Sequence, residues 1–154
     1  MPHIRANLID KTTIGMANSF GTPVILDSEE PPGSLRAALL KRKKPIIIFE
    51  GGEALRLDDI VVKSGVEGVL SVLRYLKMLP ENKTKKKSSL AFIARSSLWI
   101  RAPESGVFRT KIKLGERVEK GEVLGVISDP FGEREVNVKA KYGGIVISLS
   151  LIHI

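Results

Sequence analysis

Glu50 stands where a chain of this kind could do chemistry. It follows the apolar run Pro45-Ile46-Ile47-Ile48-Phe49 and precedes Gly51-Gly52. A run apolar on both faces reads as a strand of a parallel sheet covered by helices. A carboxylate at the carboxyl end of such a strand faces the ligand crevice of an open α/β sheet, where it can carry a proton. The competing reading is that Glu50 caps the Gly51-Gly52 turn and pairs with a nearby arginine. Metal chemistry is harder to build. A catalytic zinc site of the usual kind needs at least two histidines and a carboxylate. The chain has two histidines, His3 and His153, at opposite ends, and no cysteine. No metal ligand is therefore assigned within it, and thiol catalysis and disulfides are excluded.

The elements that must hold Glu50 alternate between helix and strand. Ile9, Ile14, Ala17 and Phe20 recur at helical spacing, and Gly21 sits where a helix-ending glycine belongs. Thr22-Pro23-Val24-Ile25-Leu26 reads as a short strand. Ser34 is placed to cap a helix over 35–40. Two helical stretches follow the glycine pair, over 57–63 and 66–79. The second carries Val69, Val72, Leu73, Leu76 and Leu79 on one face. This order predicts α/β layering. Two convincing strands are too few for a sheet buried on both faces, so residues 1–79 read as part of a larger α/β domain. Residues 80–88 are polar and lysine-rich and read as a linker.

Residues 89–154 have another texture, with short β-branched runs split by glycines. Arg101-Ala102-Pro103-Glu104-Ser105-Gly106-Val107-Phe108 is echoed by Lys139-Ala140-Lys141-Tyr142-Gly143-Gly144-Ile145-Val146. Between them lies Leu114-Gly115-Glu116-Arg117-Val118-Glu119-Lys120-Gly121-Glu122-Val123-Leu124-Gly125. The pattern resembles the lipoyl and biotinyl carrier fold, the barrel-sandwich hybrid. Carriers of that kind present a modified lysine on the hairpin between the halves. Here the hairpin is Ser128-Asp129-Pro130-Phe131-Gly132-Glu133, without lysine. The barrel is thus expected to be structural. The apolar stretch Ser148 to Ile154 has no capping or turn signal and suggests truncation within the last strands.

Four stretches together carry a more specific likeness: Pro2-His3-Ile4-Arg5-Ala6-Asn7, Ala17-Asn18-Ser19-Phe20-Gly21-Thr22-Pro23-Val24-Ile25, Gly33-Ser34-Leu35-Arg36, and Phe49-Glu50-Gly51-Gly52-Glu53-Ala54-Leu55-Arg56. With Asp129-Pro130-Phe131-Gly132 they resemble the succinylglutamate desuccinylase and aspartoacylase family of zinc deacylases. The resemblance implies a carboxypeptidase-like α/β segment followed by a barrel-sandwich domain. It implies that Glu50 is the general base, that Arg36 clamps a substrate carboxylate, and that Arg5 and Asn7 line the pocket. Glu53 and Arg56 read as a salt bridge or turn pair. The family's zinc is held by a His-x-x-Glu pair and a later histidine, and the chain contains no His-x-x-Glu. Zinc is accordingly expected in the full-length parent and not in this chain alone. The chain is expected to be a C-terminal, inactive portion of a deacylase acting on a small N-acyl substrate. The alternative is a non-catalytic binding module built on the lysine-free barrel.

Composition bounds the partners. The chain of 154 residues carries a net charge of +8. Much of the excess lies in Lys41-Arg42-Lys43-Lys44 and in Lys83 with Lys85-Lys86-Lys87. The first run follows a helix, where cations suit the dipole. Aromatic content is 5%, which leaves few platforms for base stacking, so a nucleic-acid partner is not expected. No apolar run reaches the roughly 18 residues of a membrane span. A cytoplasmic setting is expected, and open sheet edges with the apolar tail favour self-association into a homo-oligomer.

Overall fold

The computed structural model describes residues 1–81 and 90–150. Most of the expected linker 80–88, together with residues 151–154 and the tail's His153, lies outside the described residues. The chain divides into two compact units, Met1–Ser97 and Leu98–Ile154. Among the described residues no helix is long and apolar enough to cross a membrane.

The first unit runs β1 (His3–Ala6), α1 (Lys11–Phe20), β2 (Val24–Asp27), α2 (Leu35–Lys41), β3 (Ile47–Glu50), α3 (Asp59–Tyr75) and β4 (Phe92–Ala94). Its sheet has the order β3-β1-β2-β4. β1, β2 and β4 are parallel, whereas β3 pairs antiparallel with β1. Sequence reading finds only β2 and β3. β1, His-Ile-Arg-Ala, is mixed in polarity and β4 is three residues long, so neither shows the apolar run that marks β2 and β3. β4 also moves the unit boundary. It lies beyond the expected linker yet pairs with β2, so the first unit extends to Ser97.

β3 is the second departure. Its apolar run predicts a central parallel strand, but it is antiparallel and its four residues are only half-buried. The core forms instead around β1 and β2, from Ile4, Ala6, Ala17, Phe20, Ile25 and Val72. The expected pair of helices after β3 is one helix, α3, started by the Asp58 carboxylate accepting from Ile60 N and Val61 N. Ser64-Gly65 does not break it, because Gly65 lets the Phe49 ring approach the helix: a Cβ there would lie 3.1 Å from the ring. Gly68 does the same for Phe20, whose ring would lie 2.1 Å from an added Cβ. The buried stripe of α3 is therefore made of small residues and Val72. Val69 and Leu76, expected on it, are exposed. The caps of α1 and α2 follow the sequence. Gly21 adopts φ +83° after α1, and Ser34 accepts a hydrogen bond from Ala37 N before α2.

The second unit contains β5 (Val107–Thr110), β6 (Arg117–Val118), β7 (Val123–Ser128), β8 (Glu135–Lys139) and β9 (Gly144–Ile145). They form two antiparallel sheets, β5-β7-β8 and β6-β9. Ile112, Val118, Leu124 and Ala140 make the core. The lysine-free hairpin joins β7 to β8. Asp129 organises it by accepting from Phe131 N and Glu133 N.

Two turns of this unit are built alike. Glu116 N donates to Lys113 O, and Glu122 N donates to Glu119 O. In each turn the glutamate's own carboxylate reaches back, Glu116 to Lys113 N and Glu122 to Glu119 N, both at 2.7 Å. The third residue is Gly115 in one and Gly121 in the other, each at φ +89°. A Cβ on Gly121 would meet nothing within 4 Å. Gly121→Ala is therefore expected to cost only the backbone penalty of a left-handed residue, about 1–2 kcal/mol. Urea denaturation checks this, and an unchanged midpoint would show that the turn relaxes to negative φ.

Candidate functional site

The β1–β3 register sets His3 opposite Glu50 and Arg5 opposite Ile48. Residues two apart on a strand point to one face. His3 and Arg5 thus both reach the Glu50 carboxylate. Arg5 Nε lies 2.9 Å from Glu50 Oε1, and His3 Nε2 lies 3.2 Å from Oε2. His3 is buried at 4% exposure, while the Glu50 side chain is 41% exposed. Because β3 is antiparallel, Glu50 lies beside the start of β1. The expected position in a crevice beyond the carboxyl ends of parallel strands is corrected accordingly. The pair with Arg5 is the arginine contact that the competing reading of Glu50 expects.

Arg36 enters from the first turn of α2. Ser34 starts that helix, which points Arg36 back toward β2. Arg36 is buried, 6% exposed, and its guanidinium donates to Ser28 Oγ at 3.1 Å and Glu29 O at 3.0 Å. Ser28 N in turn donates to Ala6 O at the end of β1. Arg36 therefore ties the loop after β2 down onto the sheet, and it is not the exposed helix arginine that sequence alone would allow. Arg36→Lys keeps the charge but loses the planar fork. With two oxygens of this loop left short of a donor, the variant is expected to lose about 1–3 kcal/mol. Thermal denaturation measures this, and a variant as stable as the parent would remove the loop-tying role.

Arg5, Arg36 and Glu50 line one open cavity of 360 Å³, with Ser34, Ile46 and Ile48 among the other walls. Arg5 is offset by Glu50. Arg36 meets the neutral oxygens of Ser28 and Glu29, so the wall carries excess positive charge suited to an anionic group. Asn7 is not brought to this wall; its Nδ2 donates to Glu30 Oε2 at 2.9 Å. Glu53 and Arg56 face each other at 3.8 Å on the surface, as the sequence suggests. A larger hollow of 510 Å³ lies along α3, against Phe49, Val61, Val66 and Val69, and its walls hold no polar side chain. Among the described residues no three His, Asp or Glu side chains converge as metal ligands. His3 is the site residue that sequence reasoning passes over. Only the strand register, a long-range property, reveals it.

No family model matches the chain, and no curated protein matches it in sequence. Solved structures do match in fold, among them ones described as succinylglutamate desuccinylase and aspartoacylase. A succinylglutamate desuccinylase from Silicibacter sp. TM1040 superposes with TM-score 0.80 at 20% identity, over 96% of this chain and 47% of that one. The product-bound ectoine utilization protein EutE (DoeB) from Ruegeria pomeroyi gives 0.79 at 21% identity, over 96% and 48%. A succinylglutamate desuccinylase/aspartoacylase from Rhodobacter sphaeroides gives 0.76 at 20% identity, over 94% and 46%. The chain spans about half the length of these structures, a share that fits a C-terminal portion of their fold.

Proposed function

We propose that the chain is part of a zinc-dependent hydrolase that cleaves an amide or ester bond of an N-acyl amino acid, and that it is inactive alone. The observation that carries this is the shared wall on which Arg5, Arg36 and Glu50 meet. In this reading Arg36 anchors a substrate carboxylate, which its charge and donor geometry suit. Arg5 holds Glu50 in place. Glu50 takes a proton from the attacking water and returns it to the leaving amine. The described residues do not fit zinc, since they assemble no ligand set, and no step is routed through it. The second unit is read as a barrel-sandwich module. Its support is the similar placement of Gly106-Val107 and Gly144-Ile145: β5 begins at Val107, directly after Gly106, and β9 begins at Gly144, in a separate sheet. A second reading, a non-catalytic binding module, rests on the hairpin after β7, which Asp129 organises and which offers no lysine for modification.

Two measurements test the first reading. The dialysed chain should hold no stoichiometric zinc and should not hydrolyse N-acyl amino acids; turnover by the chain alone would overturn its inactivity. Calorimetry should still show an N-acyl amino acid binding to the chain. Arg36→Lys should weaken that binding about tenfold or more, the worth of a charge-assisted hydrogen bond. Absence of any binding would sink the carboxylate-anchoring role.

A further inference from the structure

The deacylase reading gives His3 no task, yet His3 is built into the site. It is 4% exposed and sits directly across the strand pair from Glu50. Its Nδ1 lies 3.1 Å from Met1 O. A carbonyl oxygen only accepts, so Nδ1 carries the hydrogen and the tautomer is set. That leaves Nε2 facing Glu50 Oε2 at 3.2 Å, with no group meeting it in full hydrogen-bonding geometry. A buried ring nitrogen without a partner is costly, and the nearby carboxylate oxygen is positioned to relieve it.

We infer that His3 is a positioning residue for Glu50, fixing Oε2 from its buried Nε2 across the strand pair while Arg5 holds Oε1. This rests on the reading of Glu50 as the proton carrier. The two neighbours differ in kind. Arg5 is permanently charged and acts on Oε1 alone. His3 acts on Oε2 alone, its ring held by burial and by the Nδ1 contact to Met1 O, so the two neighbours together fix both oxygens and the plane of the carboxylate. The other charges nearby are Arg5 and the Met1 α-ammonium. Burial pushes that ammonium below its ordinary value, against the opposing pull of Asp58 at the start of α3.

The test is nitrogen-15 spectroscopy of the histidine side chains in the full chain. There are two histidines, and His153→Gln assigns the signals. His3 is expected to show one tautomer, with the hydrogen on Nδ1. Glu50→Gln should displace its Nε2 resonance while leaving that of His153 in place. Tautomer-averaged signals from His3, or an Nε2 resonance indifferent to Glu50→Gln, would overturn the proposal. Circular dichroism checks that the variant folds. If it does not, Glu50→Asp withdraws the carboxylate by one methylene and must displace Nε2 in the same way; an unmoved resonance again overturns the proposal. The readout needs no turnover. Failure to bind an N-acyl amino acid would sink the carboxylate-anchoring part of the deacylase reading and leave these resonances as they are. An averaged tautomer would remove His3 and leave that reading intact.

Discussion

Glu50→Gln in the longer deacylase proposed above lowers kcat by about 10²–10⁴-fold, the usual worth of a positioned proton carrier. Zinc content is expected to stay unchanged. The glutamine keeps the shape of the side chain and can still accept from Arg5, so geometry survives while proton transfer does not. Misfolding is a poor alternative explanation. Glu50 is 41% exposed, and a solvent-screened ion pair of this kind contributes only about 0–1 kcal/mol to stability. Steady-state kinetics with metal analysis separates the outcomes. Loss of zinc along with activity would make Glu50 a ligand. A full-rate variant would leave it with the turn and the Arg5 pair only.

Phe20→Ala is expected to remove about 3–5 kcal/mol from the first unit. Phe20 is 7% exposed, stacks on Phe49 at 5.0 Å between ring centroids, and rests against Gly68. The stacked pair adds about 0.5–1.5 kcal/mol beyond the buried area. Total stability of a domain is about 5–15 kcal/mol, so most of the margin goes. All three helices of the described residues lie in this unit, so helical circular dichroism in urea reports it directly. With a slope of about 1–3 kcal/mol per molar urea, the midpoint should fall by a molar or more. A fall worth less than about 1 kcal/mol would mean that the hole collapses without penalty. The residue after Phe49 is Glu50, so the same core that holds α1 on α3 also fixes the strand end that presents the carboxylate.

Local chemistry was legible in the sequence, and long-range arrangement was not. The Ser34 cap, the Gly21 stop and the hairpin after β7 each depend on residues within a few positions, and each is found where the sequence places it. Strand direction depends on a partner far along the chain. Pro45 to Phe49 therefore reads as apolar on both faces, while nothing in those residues says that β3 runs against β1. That reversal brings His3 to Glu50. α3 misleads for a related reason. Val69, Val72, Leu73, Leu76 and Leu79 read as one face, but Val69 and Leu76 are exposed, and the core side is the one where Gly65 and Gly68 admit two phenyl rings beside Val72. Arg5, Arg36 and Glu50 were found as separate residues, and only the fold puts them around one cavity.

β3 is hydrogen-bonded to β1 on one side and, among the described residues, to no strand on the other. Its backbone groups therefore alternate between a dry flank and a wet one. In deuterated water its amides should divide into two populations. Those turned toward β1 exchange only when the sheet opens, and those turned outward exchange like a loop. The strand that carries Glu50 thus records, residue by residue, whether anything has come to lie along its open side.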